Sequence, residues 1–308
     1  MINEKHFIIL NYQKRIFYMN TISNSELTLN ISSHGAELHN IIKDNKEYLW
    51  QGDPKYWGRH SPVLFPICGR AWNNVYRNNG VEYSLEQHGF ARDMEFEVLQ
   101  KDETSIEYVL ESNEETLKVY PFKFRLLISY ILKGNRIIVR WKVQNIGDKD
   151  MYFQIGAHPG FLFPDLDTTI SERGYFALFG KKDLVYNVPL EKGCVGDNYQ
   201  ELLTNKGLME VDTKTFDCNT YIFEDNQLNK VTFLDRKHHP YVSVEFDSPV
   251  LALWSPTATH PDAPFFCIEP WYGESDHVDY NGEFKDKKYM QYLAPKHNFE
   301  VSYTIIIE

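Results

Sequence analysis

The sequence predicts an all-β protein built as a large antiparallel β-sandwich. Three observations predict it. Apolar and polar residues alternate at period two along several segments, turn chemistry falls between those segments, and no long amphipathic helical pattern interrupts them.

The elements follow in chain order. "MNTISNSELTLNISSHGAEL" from Met19 supplies a natural first strand. The preceding residues 1–18 carry charges that break any apolar period, so they are expected to be an extension outside the core and the cleft, with residues 19–308 forming the sandwich domain. "VYRNNGVEY" sets Asn79-Gly80 between two apolar-aromatic stretches, a hairpin signal. "MEFEV" alternates. From Phe124 to Ala157, the glycine turns in "ILKGNRII" and "QNIGDKDMY" divide three consecutive antiparallel strands. In the middle one Ile137, Val139, Trp141 and Val143 share a face, and Ile138, Arg140, Lys142 and Gln144 share the other. "YVSVEFD" repeats the pattern, and the C-terminal "FEVSYTIIIE" sends Phe299, Val301, Tyr303, Ile305 and Ile307 to one side. Short helical turns are expected near Tyr199–Leu203 and Asp286–Met290. The acidic clusters Glu111–Glu115 and Asp148–Asp150 read as solvated turns. No Ser/Gly/Pro-rich linker and no repeat divides the chain, which favours one many-stranded sandwich over two domains.

Composition excludes several function classes. At 308 residues, with 43% hydrophobic and 24% charged residues, the chain can bury a full core without disulfides or metals. Aromatic residues reach 15%, which suits pleated strands. It also suits sugar binding, because the C–H faces of a pyranose pack on rings, although most of these rings are core. A net charge of -11 with no dense Lys/Arg run excludes a nucleic-acid binder and disfavours anionic membrane surfaces. A small anionic ligand stays admissible, since one or two arginines in a pocket suffice. Cys68, Cys194, Cys218 and Cys267 form no C-x-x-C pair, so zinc and redox motifs are absent. The apolar stretch Phe7 to Leu10 is too short for a signal peptide or a membrane span. A cytoplasmic setting with reduced thiols is therefore expected.

Three segments concentrate chemistry. In "QHGFARDMEFEV", His88 precedes Gly89, whose backbone can enter conformations other residues resist. In "IGAHPGFLFP", His158 follows a strand and precedes Pro159-Gly160, where the chain must leave the sheet. In "FFCIEPWYGESD", Glu269 ends an apolar strand beside Trp271 and Tyr272, a setting for functional burial of a carboxylate. Each has a plainer reading: a histidine at a strand end is more often structural, and a glutamate before proline often lies at the surface. His238-His239-Pro240 and His260-Pro261-Asp262 lack zinc spacing and read as loop residues. His34-Gly35 fits an early hairpin, and Ser255-Pro256 lacks the G-x-S-x-G context of a serine hydrolase.

The ordered set "SPVLFPICGR", "QHGFARDMEFEV", "TLKVYPFKFRL", "GAHPGF" and "CIEPWYG" resembles the aldose 1-epimerase family, and within it the LacX-like branch. The resemblance covers nearly the whole chain after Met19. It implies the galactose mutarotase-like supersandwich, with a small-molecule carbohydrate bound in a cleft on one sheet. It also implies a reaction without metal, redox cofactor or covalent intermediate. A cyclic aldose opens when its anomeric hydroxyl loses a proton and its ring oxygen gains one, so one base and one acid are needed. By the resemblance, Glu269 is the base at O1 and His158 the acid at O5. His88 is a second histidine near the ring oxygen, and Arg70 and Asp217 hold sugar hydroxyls. Related hexose-6-phosphate mutarotases also place arginines near such a segment. Arg92 is therefore either a phosphate ligand or the partner of Asp93 or another carboxylate, and the pairing reading is preferred. With Arg92 as the single plausible phosphate arginine, a neutral aldohexose is expected to bind at least as well as its 6-phosphate. The alternatives are a hexose-phosphate mutarotase and a non-catalytic sugar-binding protein on the same fold.

Overall fold

A computed structural model describes residues 18–308, and the expectation for residues 1–18 falls, apart from Tyr18, outside the described residues. Strands dominate, and Glu114–Val119 is the one α-helix among the described residues. No helix of the described residues is long and apolar enough to cross a membrane.

Nine antiparallel strands form the larger sheet. Across it run Leu208–Asp212, Glu172–Gly180, Leu228–Leu234, Pro240–Phe246, Asn298–Ile307, Arg136–Asn145, Phe124–Lys133, Ser105–Glu111 and Glu97–Lys101. The alternation read from the sequence sets the inner face: Ile137, Val139, Trp141 and Val143 are buried, and Trp141 stands opposite Ile128 on one side and Val301 on the other. Asn79 and Gly80 both take positive φ and join Val75–Asn78 to Val81–Ser84, as a two-residue hairpin of the primed type requires. The second sheet runs Thr220–Phe223, Val250–Trp254, Phe265–Tyr272, Ile155–Ala157 and Val63–Leu64, with Gly160–Leu162 also paired to Phe265–Tyr272. Strand Phe265–Tyr272 is buried along almost its whole length. One apolar cluster reaches from Ile22 to Ile307 and joins the inner faces. Rings such as Phe65, Phe124 and Phe153 pack within it at centroid distances of 5.1 and 5.9 Å, each burial stabilising by roughly 1.5–3 kcal/mol.

Three local expectations are corrected. The third strand expected after Asn145 does not pair with Arg136–Asn145; the C-terminal strand Asn298–Ile307 takes that place. Asn145 turns the chain away, its amide donating to Lys149 O and Leu293 O while its side-chain oxygen accepts from Gly147 N. The chain then forms Met151–Phe153 against Gln291–Leu293 and enters the second sheet as Ile155–Ala157. The turn expected near Tyr199–Leu203 is a strand, Gln200–Leu202, paired with Leu184–Tyr186. The Glu111–Glu115 region contains the start of the helix, because Asn113 caps it by accepting from Glu115 N and Thr116 N in a capping box.

Candidate active site

The second sheet positions the site. Glu269 lies in its central strand opposite Ala252. His158 follows the neighbouring strand Ile155–Ala157, and Pro159 carries the chain out of it. Trp271 fixes the junction by donating its indole N–H to Ala157 O at 3.2 Å. These placements bring His158 Nε2 to 3.3 Å from Glu269 Oε2, with both side chains buried. Glu269 Oε2 and His158 Nδ1 have no hydrogen-bond partner among the described residues.

His88 reaches the same place through a strained turn. His88 and Gly89 have φ of 67° and 70°, and a Cβ on Gly89 would stand 2.3 Å from Phe65 O. Only glycine allows that approach without displacing backbone. The turn is tied to the segment after Val63–Leu64: His88 N donates to Gly69 O at 2.7 Å, and Gly69 N donates to His88 Nδ1 at 3.0 Å. Because Nδ1 accepts, the neutral ring carries its proton on Nε2. The ring meets His158 edge-on at a centroid distance of 5.6 Å.

Together these residues floor a cavity of about 580 Å³. Arg70, Arg92 and Lys192 line it, as do Gln87, Asn219 and three tryptophans. Trp57 stacks on His158 at 4.6 Å, and Trp254 meets it edge-on at 5.5 Å. The apolar walls set the charge states. Burial pushes Glu269 well above the usual carboxylate range. Burial, then the charge of Arg92, pushes His158 down to about 3. Burial, then His158, holds His88 well below the ordinary imidazole range. Burial therefore disfavours the charged form at all three groups, the carboxylate of Glu269 and the imidazolium of His158 and of His88. At 3.3 Å, a proton moved from Glu269 Oε2 to His158 Nε2 would make a carboxylate and an imidazolium without exchange with solvent. Such a pair can take a proton from one ligand oxygen and deliver one to another.

The structure brings five of the six singled-out residues, Glu269, His158, His88, Arg70 and Arg92, to this cavity. Asp217 is not brought there: it is exposed in the turn Thr215–Cys218, and Asn219 and Thr220 line the cavity in its place. Trp57, Gln87, Asn219 and Lys192 were not singled out from sequence. Gln87 directly precedes the His88 segment, and this adjacency was the one signal that pointed to it. The plainer readings hold at Ser255, whose buried hydroxyl donates to Phe265 O, and at His239, which faces Asp235 at 3.0 Å.

Among the described residues, two clusters have metal-ligating atoms within 4.8 Å of one another: His158, Cys267 and Glu269, and Glu37, His39 and His60. In the first, burial raises the Cys267 thiol well above its usual range. In the second, the His39 and His60 rings stack at 3.9 Å and 21°. Glu37 Oε1 is engaged by His60 N and Ser61 N, which makes it a loop anchor.

Comparison with known proteins gives a consistent neighbourhood. The sequence family described as Aldose 1-epimerase matches residues 18–292. The chromosomal protein LacX of Lactococcus lactis subsp. lactis is 31% identical over 93% of this chain and 98% of its own length. The galactose mutarotase related enzyme from Lactobacillus acidophilus superposes with a TM-score of 0.87 at 34% identity, covering 94% of this chain and 97% of that one. The galactose mutarotase-like protein from Lactobacillus casei ATCC 334 superposes with a TM-score of 0.88 at 28% identity, covering 94% and 100%.

Proposed function

The chain belongs to the aldose 1-epimerase family, and on that premise we propose that it interconverts the α and β anomers of a cyclic aldohexose, with Glu269 and His158 as its proton-transfer pair. The observation that carries this reading is the buried 3.3 Å approach of Glu269 Oε2 to His158 Nε2 on the floor of a tryptophan-walled cavity. Binding alone needs no such pair. A sugar-binding protein can hold hydroxyls with exposed amides and arginines, and it gains nothing from a carboxyl and an imidazole buried side by side with Glu269 Oε2 and His158 Nδ1 unpartnered.

The chemistry follows from the shared proton. When O1 of the sugar meets Glu269 and O5 meets His158, transfer of the pair's proton to His158 leaves a carboxylate at O1 and a donor at O5. Glu269 takes the O1 proton as the C1–O5 bond breaks and O5 receives the His158 proton. The open aldehyde rotates about C1–C2 and closes by the reverse transfers. His88, fixed with its proton on Nε2, serves as a neutral donor near the ring oxygen. Arg70, Asn219 and Gln87 offer polar groups to the sugar hydroxyls, and the tryptophan faces accept its C–H surface. All four cysteines are unpaired, in keeping with a cytoplasmic setting.

The test is direct. Freshly dissolved α-anomers of galactose and glucose are followed by polarimetry with and without the protein. Catalysed approach to equilibrium is expected. Its absence across free and phosphorylated aldoses would move the non-catalytic sugar-binding reading ahead.

A further inference from the structure

Resting on the epimerase reading, we propose that Asp276 and Lys287 are positioning residues: their buried ion pair holds the two loops that present Arg70 and Lys192 to the sugar. The two side chains contact each other and are each 2% exposed. Neither lines the cavity. Apart from this contact, Asp276 Oδ1 and Lys287 Nζ have no hydrogen-bond partner among the described residues. A carboxylate and an ammonium buried together lose solvation that their attraction only partly returns, and apolar side chains of similar volume often serve stability as well. The pair is therefore to be understood from what it fixes in place.

Asp276 fixes two loops. With Oδ1 on Lys287, Oδ2 accepts from Trp72 N at 2.8 Å. The Asp276 backbone N donates to Arg70 O at 2.8 Å, and the hydroxyl of the preceding Ser275 accepts from Arg70 N at 3.1 Å. Residues 69–72 are thus gripped on both sides of Arg70. The fit is close: Gly69 has φ of 64°, and a Cβ there would collide with Ser275 Oγ. Asp276 O also accepts from Val195 N at 2.9 Å, and Val195 O accepts from Val278 N at 2.9 Å. Val195 follows the turn Glu191–Gly193, whose Lys192 and Gly193 line the cavity. A Cβ on Gly193 would stand 3.8 Å from Arg70 Nε, so the two loops meet at that guanidinium.

Arg70 depends on this support. Its guanidinium donates to two neutral oxygens, Asn74 Oδ1 at 3.4 Å and Gln87 Oε1 at 2.8 Å, and its buried Nε has no partner among the described residues. Held so lightly, it takes its position from the backbone that carries it. A shift of about 1 Å in a group that orients substrate can cost about 100-fold. Gly69 passes the same support to His88, through Gly69 O and Gly69 N. Glu269 and His158 are placed by the strands of the second sheet instead. Loss of the pair should therefore act on sugar binding more than on proton transfer.

A double-mutant cycle tests this with galactose, glucose and their 6-phosphates. Exchange NMR gives KM and kcat, and tryptophan fluorescence gives the Kd of each sugar. The cycle comprises the parent, Asp276→Asn, Arg70→Gln and the variant carrying both. Asp276→Asn should raise KM by about tenfold and lower kcat by less. With Arg70 already replaced it should raise KM by less than about threefold, because the group it positions is gone. Lost stability alone behaves differently: Val139→Ala, in the larger sheet, should lower the melting temperature and leave KM at the parental value. If Asp276→Asn does not fold, Asp276→Asn with Lys287→Met, which strands no charge, takes its place in the cycle. A parental KM in the folded variant, or the same rise in both Arg70 backgrounds, would overturn the proposal and leave the epimerase reading standing. Kd values that follow the cycle without any catalysed exchange would overturn the epimerase reading and support the positioning role. Neither exchange nor binding of these sugars would overturn both.

Discussion

Replacing Glu269 by Gln should separate activity from stability in opposite directions. The amide keeps the size of the side chain and cannot accept the O1 proton. A positioned acid–base group contributes about 100- to 10,000-fold, so the catalysed exchange rate should fall by that range, equivalent to about 2.7–5.4 kcal/mol of barrier. Stability should move the other way. Burial raises the Glu269 pKa well above the ordinary carboxyl value of 4.5, so over that range the folded protein holds a proton that the unfolded chain releases. Folding then takes up a proton above about pH 4.5, and stability falls as pH rises by up to about 1.4 kcal/mol per pH unit until the folded group itself ionises. Below the unfolded pKa both states are protonated and the penalty vanishes. Gln never carries this penalty. The assay is paired: exchange NMR for the rate, and thermal melts of parent and variant from acid to neutral pH. The variant should melt higher near pH 7 and lose that advantage toward pH 4. A variant that exchanges anomers at the parental rate refutes the base assignment. One that melts lower than the parent at neutral pH refutes the argument that burial holds the carboxyl protonated.

The catalysed rate should be flat through neutral pH. Only below about 3, where His158 gains a second proton for the pair, or above the raised Glu269 pKa, where the pair loses its one proton, should it fall. A single step near the ordinary imidazole value of 6.5 in the rate profile would show His158 titrating alone. His88→Asn should lower the rate less than His158→Asn does, since His88 acts as a fixed donor; equal losses in folded proteins, measured side by side, would give it a direct proton-transfer role. Deleting residues 1–17 should leave melting temperature and exchange rate unchanged, because the strand Met19–Ser23 is already registered against Thr28–Ser32; a large drop in melting temperature would show that the deleted residues pack as an element.

What the sequence could reveal was whatever repeats locally. The alternation at Ile137, Val139, Trp141 and Val143 reports the buried face of a strand directly, and Asn79-Gly80 reports a turn, because both are set by neighbours in the chain. Which strand lies beside which is not local. Nothing between Phe124 and Ala157 says that the partner of Arg136–Asn145 comes from the C-terminus, or that Ile155–Ala157 crosses to the other sheet. The site inherits this. Glu269, His158 and His88 could be singled out by strand ends, proline and glycine, but their meeting depends on that crossing. Arg70 is held by Ser275 Oγ, which accepts from its backbone N at 3.1 Å from 205 residues away. Trp57 and Arg59 had no local signal, since a tryptophan and an arginine in a loop look the same whether they line a cavity or solvent. Asp217 fails to arrive for a related reason: the turn Thr215–Cys218 points it outward and delivers the next strand's start, Asn219 and Thr220, to the cavity.

The same long-range packing decides how the pair can work. Two ionisable groups 3.3 Å apart in water would ionise independently and form an ion pair of little value. Walled by Trp57, Trp254 and Trp271, both groups lose solvation in their charged forms, which favours the neutral pair. The walls thus hold the proton in reserve rather than spending it on a permanent salt bridge. In the proposed reaction a bound sugar would replace part of that apolar environment with hydroxyls at the two atoms, and charge separation would become favourable where O1 and O5 lie. The arginines bias the same step from one side: positive charge near the carboxyl favours its ionised form but opposes the imidazolium.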